Sequence, residues 1–282
     1  MNCRTFNKPL QKDASVFTTF ARHYLLALQF FTRIPVTGRL ASWVGYSPAM
    51  LRASAAHFPG VGWLVGGITA SASAALLLVL PSNAMAPLVG AVLSTVISVM
   101  VTGAFHEDGL ADVADGLGGS SDRERALLIM KDSRVGAFGA LALVLMLLAK
   151  VSLLALIGSI DALVMCWGLF AAHVASRGFP LLLIRAMPHV GDAAGSKSKP
   201  LADQISLDSL LVAGLWLLAA LGLVAWLGEG VALLVPMACA TLAWLLMWRW
   251  FAARLQGFTG DCLGATQQVC EVAFYFGLAL TL

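Results

Sequence analysis

Apolar stretches of about 20 residues recur along the chain, broken by short polar segments. A helix of that length crosses roughly 30 Å of hydrocarbon and satisfies its own backbone polar groups. The pattern predicts seven such spans, at 61–80, 86–105, 137–156, 162–182, 210–227, 231–250 and 266–282. They are built of Leu, Ala, Val and Gly without a period of two, which argues against an outer-membrane barrel. The fold class expected is therefore all-α, a polytopic transmembrane helical bundle. The N-terminal part differs: the apolar run from Phe17 to Phe31 is interrupted by Arg22, His23 and Gln29 and ended by Arg33-Ile34-Pro35. Residues 15–35 fit an amphipathic helix lying along the interface or entering it partway. The chain divides accordingly into an N-terminal cytoplasmic or interfacial segment, 1–60, and a transmembrane catalytic domain, 61–282. The first residues lack a short apolar core followed by a small-residue cleavage site, so no cleavable signal peptide is expected.

Composition agrees with the pattern. Hydrophobic residues make up 59% of the chain and charged ones 12%, where a soluble domain carries about 25% charged residues. The mean hydropathy is +0.85. Placing the N-terminus in the cytoplasm puts 1–60, 106–136, 183–209 and 251–265 on the cytoplasmic side, and these segments hold nearly all the Lys and Arg. The opposite loops hold none, a strong positive-inside asymmetry. Basic residues in the N-terminal segment, Lys8, Lys12 and Arg22, read as a solvated tail with some capacity for anionic lipid or a partner enzyme. The five cysteines have no C-x-x-C spacing, so neither a zinc site nor a disulfide framework is expected. Gly191 to Pro200 reads as a polar linker. Tryptophans near span ends, such as Trp63, Trp226, Trp248 and Trp250, read as interface anchors rather than a base-stacking platform, and no nucleic-acid partner is expected.

Candidate chemistry concentrates in FHEDGLADVADGLGG, Phe105 to Gly119. If the helix continues through it, Asp108, Asp112 and Asp115 stand at i, i+4 and i+7, within about 60° around the axis. Like charges at this spacing repel unless a cation lies between them. Hard carboxylate oxygens without clustered Cys or His point to magnesium or manganese, and magnesium commonly uses one or two carboxylates plus substrate phosphates. A phosphate-bearing substrate is therefore expected, and the neighbouring glycines allow it close to the backbone. Two further polar blocks fall on the same predicted face. IMKDSRVGAFGA, Ile129 to Ala140, supplies Lys131, Asp132, Ser133 and Arg134; GFTGDCLGATQQ, Gly257 to Gln268, supplies Gly260 and Asp261. Arg134 and Lys131 suit phosphate oxygens, Arg in bidentate fashion and Lys as a point charge.

Four blocks in order, TRIPV (Thr32 to Val36), HEDGLADVADGLGG (His106 to Gly119), KDSRVGAFGA (Lys131 to Ala140) and GFTGDCLGA (Gly257 to Ala265), resemble the cobalamin synthase family, adenosylcobinamide-GDP ribazoletransferase. The blocks cover most of the chain and the acidic one is the most specific. GFTGD departs mildly from a family pattern that usually carries Tyr before the Thr. The resemblance implies an enzyme of cobalamin (vitamin B12) biosynthesis in the cell inner membrane. It would join adenosylcobinamide-GDP to α-ribazole or its 5′-phosphate, release GMP and form adenosylcobalamin or its 5′-phosphate, with Mg2+. Asp108, Asp112 and Asp115 are then the expected metal ligands, directly or through water. Glu107, on another side of the helix, supports the site or joins it. Asp132 and Asp261 complete the metal site or orient the nucleoside, and Arg134, Lys131, Ser133 and Gly260 face substrate. A carboxylate or His106 accepts the proton of the attacking hydroxyl; both choices stay open.

Polar residues within spans are costly and usually face the bundle interior. Arg177, a candidate substrate-binding residue, and Glu271 have a site-supporting or an ion-pair role; His173 reads as an interior histidine, and Lys150 as snorkelling or pairing across the bundle. Two rival classes exist. A transporter places charges near the bilayer midplane, whereas here the acids gather at span ends on one side. A CDP-alcohol phosphatidyltransferase shares the D-x-x-D-G opening seen at Asp112 to Gly116, but Leu117-Gly118-Gly119-Ser120 follows where that family expects Ala-Arg and a second acidic pair.

Overall fold

A computed structural model describes residues 15–191 and 204–282. Cys3, Lys8, Lys12 and most of the Gly191 to Pro200 linker lie outside the described residues. Apolar composition and N-caps produce a helical chain with no strand among those residues: α1 (Val16–Phe31), α2 (Gly38–Val44), α3 (Pro48–Ser54), α4 (Phe58–Val79), α5 (Ala86–Thr102), α6 (Phe105–Gly119), α7 (Arg123–Ile129), α8 (Ala137–Ile160), α9 (Ala162–Ala186), α10 (Leu207–Leu227), α11 (Leu234–Arg254) and α12 (Gly260–Ala279). Ser15, Ser47, Asp122, Asp161, Ser206 and Thr259 cap their helices by accepting backbone N–H groups that would otherwise have no partner.

Five stretches are long and apolar enough to cross a membrane: Pro48–Val79, Ala137–Ile160, Ala162–Ala186, Leu207–Leu227 and Leu234–Arg254. A sixth results if α5 and α6 are taken together, although they meet at 90°. Two of the seven expected spans therefore come out differently. The chain turns at Gly103 and Ala104, both with positive φ (67° and 58°), so the acidic segment does not continue the line of α5. The last helix begins at Gly260, and Gln267, Gln268 and Glu271 give it a polar side, so it falls outside the apolar set. It is instead the centre of the bundle, packed against α6, α8, α9 and α11. The helix expected within 15–35 is α1, which lies against α3 and α4. Trp63 also joins helices: its indole donates to the Trp216 carbonyl (3.0 Å) and packs on Phe170.

Because lipid is as apolar as leucine, packing and buried polar contacts have to hold such helices together. α4 meets α9 closely, and a methyl group at Gly62 would come within 2.5 Å of the His173 carbonyl oxygen. Deeper in the bundle, Lys150 of α8 pairs with Glu271 of α12 at 2.6 Å, each about 1% exposed. The Glu271 carboxylate also accepts from Tyr275 Oη (3.0 Å) and Gln267 Nε2 (2.7 Å). Gln267 Nε2 also reaches Ser176 of α9 (2.9 Å), and the His173 ring stands 3.7 Å from Glu271. Lys150 thus pairs across the bundle rather than snorkelling, and His173 is the interior histidine expected.

Removing one partner of a buried ion pair leaves a charge without compensation, which costs about 3–5 kcal/mol. Lys150→Met is expected to destabilise the detergent-solubilised protein by that order, and Lys150→Met with Glu271→Leu to recover most of the loss, read by thermal unfolding.

Candidate active site

The acid segment is a helix from Phe105 to Gly119, as the spacing of its carboxylates requires. Its placement follows from three anchors. Thr32 closes α1 by donating to the Leu28 carbonyl (2.7 Å), and Arg33 N–H donates to the Val101 carbonyl (2.7 Å), tying the TRIPV segment to the corner that starts α6. At the other end Arg254, the last residue of α11, donates to the Leu117 carbonyl of α6 (3.3 Å). The third anchor is α12. A methyl group at Gly109 would come within 2.8 Å of the Asp261 carbonyl oxygen, and one at Gly264 within 3.1 Å of the His106 carbonyl oxygen. Glycine at both positions lets the backbones of α6 and α12 touch.

The start of α12 is itself fixed. Val190 N–H donates to the Phe258 carbonyl (2.9 Å) and Phe258 N–H to the Pro188 carbonyl (3.1 Å), so the segment after α9 holds the segment before α12. Thr259 caps the helix and donates its hydroxyl to Asp261 (3.2 Å).

This geometry brings Asp261 to Asp108 and Asp112. Burial, then the charges of Asp261, Asp108 and Asp115, push the Asp112 carboxyl up to about 7. Burial raises Asp261 as well, opposed by the Thr259 hydroxyl and reinforced by Asp108. Asp112 and Asp261 resist ionisation first because they are buried and then because acids stand beside them, a condition that a cation relieves. Among the described residues no three Asp, Glu, His or Cys side chains are gathered closely enough to hold an ion by themselves. The donor set suits a hard cation that takes one or two carboxylates and completes its shell with water and phosphate oxygens, as magnesium does.

The cluster opens on a cavity of about 520 Å³. Asp108, Gly260 and Asp261 stand in its wall with His106, and the remainder is largely apolar: Phe30, Phe31, Phe58, Phe105, Leu181, Ile184 and Leu263 among others. Sequence reasoning missed the contribution of α1 and α4, because nothing in an apolar run distinguishes a phenylalanine facing lipid from one lining a pocket.

Not every expected residue joins the site. Asp115 is turned toward α8, where its carboxylate accepts from Gly136 N–H (2.7 Å) and Gly139 N–H (2.8 Å). Both oxygens thus accept from the positive end of a helix, so Asp115, expected among the metal ligands, is engaged by the start of α8 and does not line the cavity. Side chains at 136 or 139 would collide with that carboxylate, which accounts for the glycines in VGAFG. Asp132 and Arg134 pair with each other on the surface, Arg134 Nε to Asp132 Oδ1 at 3.0 Å, and Arg134 holds the Asp132 carboxyl down at about 2. They do not line the cavity, nor do Lys131 and Ser133 of the same turn. Glu107 points away from the acids into the bundle, where it is 6% exposed and accepts from Gln268 Nε2 (3.2 Å). Arg177 is buried, donates to the His173 carbonyl (2.7 Å) and lies over the Phe58 ring at 5.7 Å, behind the cavity wall rather than in it.

Fold and site together define a helical membrane-protein class with an acid-lipped apolar cavity where two helices meet through glycine. The chain belongs to the cobalamin-5-phosphate synthase family, whose profile matches residues 23–279. It is 63% identical over 277 residues to the adenosylcobinamide-GDP ribazoletransferase of Albidiferax ferrireducens, covering 93% of this chain and 99% of that one. The protein of the same name from Polaromonas naphthalenivorans is 61% identical with the same coverage, and that of Vibrio cholerae 43% identical over 89% of this chain and 91% of the relative. No solved structure matches.

Deleting the Asp115 carboxylate is expected to act on stability. Asp115→Ala leaves two N–H groups of the α8 start without their acceptor, one of them buried, and should lower unfolding free energy by about 1–3 kcal/mol. Asp115→Asn, which keeps one carbonyl acceptor, should lose less; denaturant titration in detergent orders the three proteins.

Proposed function

We propose that this protein joins adenosylcobinamide-GDP to α-ribazole, or to α-ribazole 5′-phosphate, giving adenosylcobalamin or its 5′-phosphate and GMP. The observation that carries the reading is the convergence of Asp108, Asp112 and Asp261 beside the cavity, with Asp108 and Asp261 in its wall, in a chain of this family. A ribose hydroxyl attacks the phosphorus borne by the cobinamide arm, a new P–O bond forms, and the bond from that phosphorus to the GMP oxygen breaks. Such displacements need little covalent help from protein; positioning and neutralisation of developing charge supply most of the rate.

Asp108, Asp112 and Asp261 are the residues that would hold Mg2+. When bound, the ion supplies charge neutralisation on the pyrophosphate and on the departing GMP. The three carboxylates would place that ion beside the cavity, and one of them, rather than the buried His106, accepts the proton of the attacking hydroxyl. Glu107 acts from behind, keeping His106 and Asp108 in register through its bond to Gln268. Arg134, Lys131 and Ser133 bear on substrate only if the large corrinoid extends over the surface turn in which they lie.

The site belongs, in this reading, to the cytoplasmic side of the cell inner membrane. Support comes from the basic residues around the same end of the bundle: Arg123 donates to the Leu255 carbonyl (2.7 Å) beside Arg254. Positive residues at one face mark the cytoplasmic side. Acids gathered at a helix junction, beside a cavity large enough for a substrate, favour this enzyme over a transporter.

A membrane fraction given adenosylcobinamide-GDP and α-ribazole 5′-phosphate should release GMP and form corrinoid product only with Mg2+. Asp112→Asn, correctly inserted, is expected to lower the rate by about 100-fold or more, the scale of losing one group that stabilises transition-state charge. Normal turnover by that variant would contradict the metal assignment.

A further inference from the structure

The cavity beside the acids has a composition that its catalytic reading does not use. Much of its wall is phenylalanine. Phe31 stacks on Phe58 at 4.1 Å, Phe58 stacks on the His106 ring at 5.6 Å with 16° between the planes, and Phe105 meets that ring edge-on at 5.5 Å. His106 is thereby held in one orientation and is 2% exposed, yet its Nε2 has no hydrogen-bond partner. A buried polar atom without a partner is rare in a folded protein and calls for a bound group. The residue that carries it stands in the wall of a largely apolar pocket of about 520 Å³, whose other polar side chains are Gln29, Asp108 and Asp261 and whose size is within the range of small-molecule sites.

We propose that this pocket binds the heteroaromatic base of the nucleoside substrate, with the phenylalanines against its ring faces and His106 Nε2–H donating to its one free ring nitrogen. The inference rests on the reaction proposed above and adds which of its two substrates enters the pocket and how. Three features select the occupant. A corrin macrocycle with its side chains is too large for the cavity. Guanine, the other base in the reaction, carries several donors and acceptors, and against Phe30, Phe31, Phe58 and Leu181 most would be buried unpaired, each costing on the order of tenfold in affinity. The base of α-ribazole, a dimethylbenzimidazole, has apolar edges, and its glycosidic bond leaves one nitrogen free. One unpartnered nitrogen in the wall thus matches one unpartnered nitrogen on the ligand, and apolar wall matches apolar ring. With the base inside, the ribose lies at the mouth, beside Asp108 and Asp261.

The test uses the full-length protein in membranes. GMP release from adenosylcobinamide-GDP is compared for α-ribazole and for the corresponding indole riboside, in which carbon replaces the free ring nitrogen. The wild type should use the indole riboside with kcat/KM lower by about tenfold or more, the scale of one lost buried hydrogen bond. His106→Leu should abolish that preference by penalising α-ribazole alone. Phe30→Ala, at a half-buried wall position, should raise KM for both ribosides and leave KM for adenosylcobinamide-GDP unchanged. Equal use of the two ribosides by the wild type would overturn the subsite while leaving the reaction intact, as would a rise in KM for adenosylcobinamide-GDP in Phe30→Ala. Absence of GMP release with either riboside in the wild type would overturn the reaction and the subsite together.

Discussion

The backbone contact between α6 and α12 is what the rest of the site depends on. Carboxylates on separate helices normally stay apart, because each loses hydration and gains a repelling neighbour when they approach. Here Gly109 against the Asp261 carbonyl and Gly264 against the His106 carbonyl remove the side chains that would separate the helices. Asp261 then stands near Asp108 and Asp112, and burial with mutual repulsion drives Asp112 up to about 7. That unfavourable arrangement is retained because the fold holds the helices from elsewhere: the Arg254 contact to α6, the Val190 and Phe258 clasp before α12, and the Asp115 carboxylate seated on the start of α8.

A second constraint works from inside the bundle. α12 carries Gln267, Gln268 and Glu271 into an interior that also receives Lys150, Ser176 and Tyr275. In apolar surroundings these groups are stable only together, so they specify one rotation and depth for α12 relative to α8 and α9. Gln268 extends the same network to Glu107, one residue from Asp108. The polar core and the acid mouth are therefore two ends of one fixed helix pair, and the core sets the positions that the mouth requires.

Much of this was legible in the chain. Asp108 and Asp112 one turn apart, Asp261 among glycines at a helix start, and His106 beside them are readable because local spacing alone places them. The helical bundle was legible for the same reason, since apolar length and helix period are local properties. What escaped depends on partners distant in sequence. The i, i+7 spacing puts Asp115 on the acid face but cannot show that two N–H groups from Gly136 and Gly139 reach it first. Asp132 and Arg134 read as site residues from their block, yet two residues apart on an exposed turn they satisfy each other. The corner at Gly103 and Ala104 is a matter of positive φ at an alanine, which composition does not announce. Phe30 and Phe31, on a helix of uncertain depth from sequence, become cavity wall only because Arg33 fastens the end of α1 to that corner.

The central claim is that Asp108, Asp112 and Asp261, from two helices, act as one cation-holding group. Its most direct measurement is Mn2+ binding, followed by electron paramagnetic resonance, to the purified protein in bilayers containing adenosylcobinamide-GDP, for wild type and Asp261→Asn. The account predicts a bound Mn2+ signal in the wild type that weakens sharply in Asp261→Asn, although that residue lies far from the acidic block in sequence. Equal binding by the two proteins would contradict it.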